Sequence, residues 1–258
     1  MLTFVFKDEL EKVLNGLLTN IGRIWQLSTL AGSSDITFST YLGRKEFLKH
    51  HPVDKIRGYA ETYPDLQEYI DKYGPREGFW RYERSLPRKV NRLLYKQMVV
   101  LLITIFEAFI GDVLLITFRA EPRCLSSGKN ISWEKIIELG DYNSIIEYIA
   151  SERCAVVLSG DWYKIEAEFS RLFNIDLSGE IEEKAIAEIF EIRHAVVHRV
   201  GLVDQRFIDK VNSSEWGINY SSGKEIIISR REIRRMASFI EYAAFTIYNQ
   251  IIAKFKGD

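Results

Sequence analysis

One short stretch of the sequence, EIFEIRHAVVHRVGLVD at residues 188–204, carries the side chains best suited to chemistry. It places Arg193 directly before His194 and puts His198 four residues further on, although the chain contains only four histidines. On an α-helix, His194 and His198 lie one turn apart on the same side. Imidazole takes and gives protons near neutral pH, and arginine is a permanent cation whose donors fit a phosphate. The cluster therefore predicts general acid–base chemistry beside a phosphate.

Other kinds of site fit the sequence less well. His194 and His198 have the spacing of a zinc-binding pair, but Ala195 stands where a zinc-protease helix carries a glutamate. His50 and His51 are adjacent to each other and distant in sequence. The chain has neither a Gly-rich phosphate loop nor a serine nucleophile elbow. We expect no metal and no cofactor, and the alternative to an active cluster is an inert buried polar network.

Composition and charge bound the class of protein. The chain has 258 residues, of which 47% are hydrophobic, so it is expected to fold as one large domain or two small ones. The formal charge of −1 provides no overall basic field, so nucleic-acid binding would depend on local patches. Cys124 and Cys154 form neither a disulfide framework nor a metal-ligand pattern. With no signal-peptide pattern at the N-terminus, a cytoplasmic protein is expected.

An apolar stretch at residues 98–118, MVVLLITIFEAFIGDVLLITF, is long enough to cross a membrane. Glu107 and Asp112 lie near its middle, and each would cost about 2.5–3.5 kcal/mol at the centre of a bilayer. We therefore expect a buried helix of a soluble core and no membrane association.

Helical periodicity dominates the rest of the chain. A helix is expected over residues 3–31, ending at Gly32, Ser33 and Ser34. A long helix is expected to begin near Ser85, with Pro87 in its first turn, and to end near Phe118. Further short helices are predicted at 44–49, 52–61, 64–73, 132–139, 142–153 and 161–173.

The chemistry-bearing stretch falls in a predicted helix over residues 179–200, with Ser178 as its N-cap and Gly201 at its end. After it, GINYSSGKEIIIS predicts a small β-hairpin. The final helix opens with a capping-box pattern at Ser229 and runs to about Phe255. The sequence thus predicts a mainly α fold with a small β-hairpin before the C-terminal helix.

The run RHAVVHRVGLVD resembles the signature of HEPN domains, an all-α family whose motif is an arginine, four to six residues and a histidine. Arg193 and His198 match that motif, and His194 takes its polar position after the arginine, where asparagine or aspartate is common. The helix containing IFEAFIGDVL is similar to the first core helix of the family, with Glu107 in the place of an acidic residue. The resemblance predicts a HEPN-like helical bundle over residues 86–258 and leaves a helical N-terminal region, 1–85, of undefined role.

The resemblance implies a homodimer with the active cleft at its interface and a metal-independent endoribonuclease activity. In that activity the ribose 2′-hydroxyl attacks the adjacent phosphate and leaves a 2′,3′-cyclic phosphate. His198 would be the general base or acid. Arg193 would stabilise the negative charge that builds up on the phosphorane oxygens. His194 would orient the phosphate or His198, and Glu107 would position Arg193. The implied setting is a prokaryotic toxin–antitoxin or phage-defence system, with an antitoxin or defence-system protein as partner. The alternative is a non-catalytic HEPN module that binds RNA, nucleotide or protein.

Two basic stretches are candidate RNA contacts. Residues 81–96 contain six Lys or Arg against one Glu, and three of these cations recur every fourth residue on one helical face: Arg88, Arg92 and Lys96. The last helix begins with four arginines: Arg230, Arg231, Arg234 and Arg235. Cations at a helix N-terminus oppose the macrodipole, so an anionic partner is expected near them. That partner is either RNA phosphate or acidic protein surface, such as the chain's own residues 180–191.

Overall fold

The computed structural model describes residues 4–41, 53–62, 64–125 and 131–255. Across these ranges the protein is built from α-helices, which confirms the mainly α prediction. The helices are α1 (Phe4–Tyr41), α2 (Val53–Thr62), α3 (Pro64–Tyr73), α4 (Pro75–Ala120), α5 (Trp133–Leu139), α6 (Tyr142–Leu158), α7 (Trp162–Phe173), α8 (Glu183–Arg199), α9 (Gln205–Val211) and α10 (Arg230–Phe255), with a 3-10 turn at Pro122–Leu125.

Helix α4 is the central element of the bundle. Its C-terminal half packs against α1, α6, α8 and α10. The buried side chains of α4 recur every three or four residues, as a helix surrounded by other helices requires: Val99, Leu102, Ile103, Phe106, Ile110 and Val113. Phe106 stacks on Trp162 of α7 with 6.2 Å between ring centroids. Burying a side chain of this size stabilises a fold by about 1.5–3 kcal/mol.

A second, smaller hydrophobic cluster lies at the other end of α4. There α2 and α3 pack against each other and against the first turns of α4. Its buried members are Ile56, Ala60, Leu66 and Phe79. We call α2, α3 and residues 75–92 of α4 the arm, because its cluster is separate from the main core.

Two glycines allow α4 to turn back against α3. Gly74 links the helices with a φ of 80° and a ψ of 163°, a backbone conformation that is essentially restricted to glycine. Gly78 lies where the helices cross, and a Cβ atom added there would be 2.4 Å from the carbonyl oxygen of Tyr69. Pro75 follows the turn at the first helical position, where its missing N–H costs nothing.

Several predicted helix boundaries were wrong. Helix α1 does not end at Gly32 but continues to Tyr41, and α4 begins at Pro75 rather than near Ser85. The earlier start of α4 follows from packing, because Phe79 is buried in the arm cluster. The short helices predicted at 52–61 and 64–73 are present as α2 and α3, whereas 44–49 lies outside the described residues.

The segment between α8 and α10 also differs from its prediction. Helix α9 was not expected, and no β-strand forms within residues 131–255. The chain does turn at Ser221, whose carbonyl accepts a hydrogen bond from the N–H of Lys224. The residues after that turn pair with residues 201–203, just after α8, instead of with residues 217–220. An isolated antiparallel bridge joins Leu202 to Glu225.

The most apolar part of the chain lies in α4. By length and composition this helix could cross a membrane, with a mean hydropathy of 2.5 over its most apolar window. Of that window, 56% is buried against other parts of the same chain. Core helices of soluble proteins have the same combination of composition and burial.

Candidate active site on helix α8

Helix α8 carries the Arg–His cluster and is fixed by its buried face. Ala185, Ile189, Ile192 and Val196 are buried along that face, and the helix contacts α4, α7 and α9. It begins at Glu183 rather than at 179, because Ser178 hydrogen-bonds to Asp176 in the preceding turn instead of capping the helix.

The C-terminus of α8 has an unusual backbone. Gly201 has a φ of 80°, and its N–H donates to the carbonyl of Ala195 at 2.9 Å, so glycine ends the helix as predicted. The residue before it, Val200, also has a positive φ, 56°, although valine is β-branched. This conformation costs a β-branched residue roughly 1–2 kcal/mol. Strain of this size therefore lies two residues after His198.

Arg193 points from α8 towards α4. Its Nη2 atom lies 3.6 Å from Oε2 of Glu107, with 32% of the arginine and 19% of the glutamate side chain exposed. Burial raises the pKa of Glu107, and the charge of Arg193 acts in the opposite direction. At 3.6 Å the pair is electrostatic and longer than a hydrogen bond. The buried Nε of Arg193 has no hydrogen-bond partner among the described residues. Arg193 therefore retains donors for another anion.

His194 and His198 lie against each other on the neighbouring side of α8. Their ring centroids are 4.6 Å apart with the planes tilted by 48°. His198 is exposed and His194 is half-buried. Burial lowers the pKa of His194, Glu191 opposes that shift, and the neighbouring His198, Arg199 and Lys210 add to it. His194 is therefore favoured in its neutral form, which can accept a hydrogen bond.

Two ion pairs on the α9 side frame the histidines. Lys210 of α9 pairs with Glu191, three residues before His194, and Arg199 pairs with Asp204. A cleft of about 290 Å³ lies on this side and is lined in part by Lys184, Glu191 and Lys210. Neither Glu191 nor Lys210 was predicted as a site residue. The position of Glu191, one turn from His194 on the same helix, was the available signal.

Arg193 and His198 lie on different sides of α8 in one copy of the chain. Five residues correspond to about 140° around a helix axis, and Arg193 contacts α4 whereas the histidines face the α9 side. Val197 lies between them and is 49% exposed. One copy therefore presents its arginine and its histidines as two edges of an open surface rather than as one closed pocket.

Exposed apolar side chains lie near this surface. Arg193 lies beside Glu107, and Gly201 lies against the side chain of Lys96, so α8 runs antiparallel to α4. Leu101 of α4 is thus near the level of Val197. The exposed apolar residues of α4 and of residues 197–202, which we call the apolar stripe, are Val90, Leu93, Leu94, Leu101, Val197, Val200 and Leu202. Exposed apolar patches of this kind mark interaction surfaces.

One predicted RNA contact is corrected by the structure. Lys96 is buried, with only 5% of its side chain exposed, and its ammonium group pairs with Glu225. The chain after α8 covers it, since a Cβ added at Gly201 would be 3.2 Å from Lys96 Nζ. Arg92 is exposed one turn earlier, whereas the side chain of Arg88 lies outside the described set. The regular spacing therefore does not make one continuous basic face.

The arginines that open α10 have mostly protein partners. The Nη2 atoms of Arg230 and Arg234 donate to Oγ1 of Thr29 at 3.3 and 3.0 Å. Arg234 also lies over the ring of Trp25, 5.2 Å from its centroid. Arg231 is exposed. Arg230 and Arg234 thus hold α10 against α1. Arg235 is exposed like Arg231, and its Nη1 atom donates to the Trp216 carbonyl at 3.2 Å. The capping box is confirmed, because the Ser229 N–H donates to Glu232 at 2.6 Å.

Sequence reasoning missed a buried carboxylate on α8. Glu188 is 2% exposed and accepts hydrogen bonds from Ser214 Oγ, the Glu215 N–H and the Tyr220 hydroxyl, at 2.6, 2.7 and 2.6 Å. Burial raises its pKa, and these three donors lower it. Glu188 thereby fixes residues 214–220 against α8. The signal was a glutamate among buried apolar neighbours, where an ionised group needs partners.

Comparison with known proteins gives no match, either to a protein-family model or to a curated protein or solved structure. The HEPN resemblance therefore rests on this chain's own motif residues and on their surroundings.

Proposed function

We propose that this protein is a HEPN-type, metal-independent endoribonuclease. The observation that carries the proposal is the placement of Arg193, which keeps unused donors 3.6 Å from Glu107, on the same helix as the exposed His198. Cleavage of RNA by its own 2′-hydroxyl requires a group that transfers protons and a cation that binds the phosphate. His198 and Arg193 are side chains of these two types.

The reaction is transfer of a phosphodiester within the RNA chain. His198 removes the proton of a ribose 2′-hydroxyl, whose oxygen attacks the adjacent phosphorus. The bond from phosphorus to O2′ forms and the bond to the 5′-oxygen breaks, while a second protonated histidine gives its proton to that leaving oxygen. Arg193 stabilises the negative charge that develops on the non-bridging oxygens. The products are a 2′,3′-cyclic phosphate and a 5′-hydroxyl end.

The active form in this proposal is a homodimer with the cleft at its interface. Val197 of the apolar stripe is one turn from Arg193 on α8, and a second copy would cover the stripe. Around a two-fold axis each surface meets its own equivalent, so the arginine edge of one copy can approach the histidine edge of the other. This pairing supplies the second histidine and closes a surface that is open in one copy.

The proposed setting is the cytoplasm of a prokaryotic cell, without membrane association. A toxin–antitoxin or phage-defence system is the context that the motif implies, with an antitoxin or a defence-system protein as partner. A non-catalytic HEPN module is the second candidate. It is favoured by the different directions in which Arg193 and His198 point in one copy, because binding alone does not require them to converge.

The test is RNA cleavage by the purified protein in excess EDTA, with Arg193→Ala and His198→Ala measured beside it. Arg206→Ala is the matched control, because Arg206 is exposed on α9 outside the cluster. We expect both cluster variants to lose at least about 100-fold in rate, which is typical for losing an acid–base group or a charge-stabilising donor. The control should cut normally and leave cyclic-phosphate ends. A folded dimeric wild type that binds RNA without cutting would support the non-catalytic module.

A further inference from the structure

The positive charge of the arm is concentrated in residues 72–92, because residues 53–71 contain two Lys or Arg against five Asp or Glu. Residues 72–92 contain seven Lys or Arg and two Glu, whereas the whole chain has a formal charge of −1. A local excess of this kind creates a field that attracts polyanions even when a protein is neutral overall.

Aromatic rings alternate with these cations on the arm. Arg81 lies over the ring of Tyr73, 4.5 Å from its centroid, and Arg84 lies over Trp80 at 5.1 Å. Lys89 lies between Tyr69 and Tyr82, at 5.9 and 5.2 Å from their centroids. The arm surface therefore combines aromatic rings with the cationic side chains that lie over them.

Part of this charge has no acidic partner among the described residues. Arg81 pairs with Glu77 and Lys89 pairs with Asp65, at 2.7 and 2.6 Å. The cations that form no ion pair with a described residue, and that are all exposed, are Lys72, Arg76, Arg84 and Arg92. Four outward charges therefore remain available beside exposed or half-buried rings.

We propose that the arm is a binding subsite for single-stranded RNA, separate from the Arg193–His198 cluster. This inference rests on the proposed ribonuclease function and names the form of its substrate. Unpaired bases stack on aromatic side chains and on guanidinium planes, and neighbouring cations contact the phosphates. Duplex RNA hides its bases from such planes. An acidic protein surface would use the charges and leave the rings without a role.

The position of the arm fits a strand that reaches the cluster. Arg92, one of the four available cations, is 15 residues from Glu107 on α4, so the two lie about 22 Å apart along the helix and about 60° apart around it. A stacked strand rises about 3.4 Å per nucleotide, so roughly seven nucleotides span that distance. The arm therefore holds RNA several nucleotides away from the bond that is cut.

The binding test uses full-length His198→Ala protein in EDTA, so that RNA is held and not cut. The probe is a fluorescent single-stranded RNA about twenty nucleotides long, followed by anisotropy as salt is varied. The arm variant combines Arg76→Gln, Arg84→Gln and Arg92→Gln. The matched control combines Lys7→Gln, Lys12→Gln and Lys254→Gln, three exposed cations in α1 and α10, outside the arm.

We expect the arm variant to bind at least about 10-fold more weakly near physiological salt, and its log–log salt slope to fall by about 2, at roughly 0.7 per lost phosphate contact. The control triple should bind within about two-fold of its parent. Tyr73→Ala should weaken binding by about 5-fold to 150-fold through lost stacking. Tyr142→Ala, at a more exposed tyrosine of α6, should not. Equal circular dichroism spectra will establish that all variants are folded.

Competition separates single-stranded RNA from other polyanions. An unlabelled single strand should displace the probe, whereas duplex RNA of equal length and polyglutamate should need at least about ten times the concentration. Equal competition by either one would overturn the single-strand assignment in favour of a general cationic surface. Unchanged binding in the arm variant would overturn the subsite itself.

Cleavage of two substrates separates failure of this inference from failure of the proposed function. With His198 restored, the arm variant should cut a dinucleotide at the wild-type rate, because a dinucleotide is too short to reach the arm. It should cut the longer RNA with a raised KM. Arm-dependent binding without any cleavage would reject the nuclease and retain the RNA subsite. Cleavage of both substrates at wild-type KM would retain the nuclease and reject the subsite.

Discussion

Arg193 of α8 and Glu107 of α4 form an ion pair with 3.6 Å between Nη2 and Oε2, across the interface of two helices that are far apart in sequence. The pair is loose enough to leave arginine donors free and close enough to restrict the direction of the guanidinium group. Glu107 thus has the geometry of a positioning residue for Arg193.

Replacement of that carboxylate tests the relationship. We expect Glu107→Gln to lower kcat for RNA cleavage by about 10-fold with little change in KM, because Arg193 remains present but less well directed. Arg193→Ala should lose at least about 100-fold. Asp112→Asn is the matched control on the same helix. Burial also raises the pKa of Asp112, and there the charge of Arg119 opposes the shift. A loss in the control as large as that in Glu107→Gln would assign the effect to α4 packing.

The apolar stripe predicts how the proposed dimer can be broken. Leu101→Glu and Val197→Glu each place a charge on a surface that faces its own copy in a two-fold dimer, so both charges appear twice at one interface. We expect each variant to be a folded monomer in light scattering and to lose cleavage. Val5→Glu, at a residue of α1 that is 61% exposed, should remain like the wild type. Monomeric variants that still cut RNA would show that one copy suffices.

Glu166 of α7 predicts a pH dependence of stability. Burial raises the pKa of its carboxyl to about 7, and the neighbouring Glu183 and Asp176 add to the shift. As pH rises, the carboxyl of Glu166 therefore keeps its proton in the folded protein after it has lost it in the unfolded chain. The free energy of unfolding consequently decreases as the pH rises from the unfolded pKa towards 7, and there is no such loss below the unfolded pKa. After discounting for solvent, Glu166→Gln should stabilise by about 1 kcal/mol at pH about 8.

The measurement is thermal unfolding of Glu166→Gln and wild type at two pH values. The variant should melt about 2–4 °C higher at pH about 8 and at the same temperature at pH about 4, where Glu166 is protonated in both states. Glu152→Gln, in the exposed face of α6, should follow the wild type at both values. A gain of equal size at both pH values would indicate improved packing instead of relief of charge.

The positive φ of Val200 predicts a stabilising substitution. Val200→Gly removes the steric conflict of a β-branched side chain in the left-handed region, and the side chain is 78% exposed, so little packing within one copy is lost. We expect an increase of about 1 kcal/mol in the free energy of unfolding. Val90→Gly, in the interior of α4, should decrease it by about 0.5 kcal/mol. Chemical denaturation measures both, and equal signs would contradict the assigned strain.

The helix crossing at Gly78 predicts that the arm can be opened selectively. Gly78→Ala places a methyl group 2.4 Å from the Tyr69 carbonyl oxygen, so α3 must move away from α4. Gly58→Ala, in α2 with no atom within 4 Å of the added carbon, should instead stabilise the arm by about 0.5–1 kcal/mol. Limited proteolysis should cut Gly78→Ala within residues 53–73 faster than the wild type. Equal cutting rates for both variants would contradict the tight crossing.

Local signals in the sequence located much of this architecture. The glycine at 201 ends α8 because a left-handed residue closes a helix, and the capping box at Ser229 starts α10 because both of its hydrogen bonds are formed within four residues. The contact of Glu107 with Arg193 was also anticipated, from the resemblance rather than from any local pattern.

Contacts with segments far away in sequence could not be predicted from local patterns. Lys96 has the spacing of a surface cation, but a segment more than one hundred residues later folds over it and supplies Glu225. The residues predicted as a β-hairpin contain a real turn, and the carbonyl of Lys224 accepts from Val203 instead of from a hairpin partner. In each case the sequence predicted the local conformation, a helix or a turn, but not the distant residues that the segment contacts.

The continuity of α4 sets a distance within the protein. Its 46 residues form one helix from the arm to the level of Glu107 and beyond, about 69 Å in all. The number of residues between Lys89 and Glu107 therefore fixes both their spacing and their relative direction. Two added residues would rotate one end by about 200° relative to the other, whereas four would rotate it by only about 40°. Each residue added to this helix therefore changes both the distance between the two ends and the angle between them.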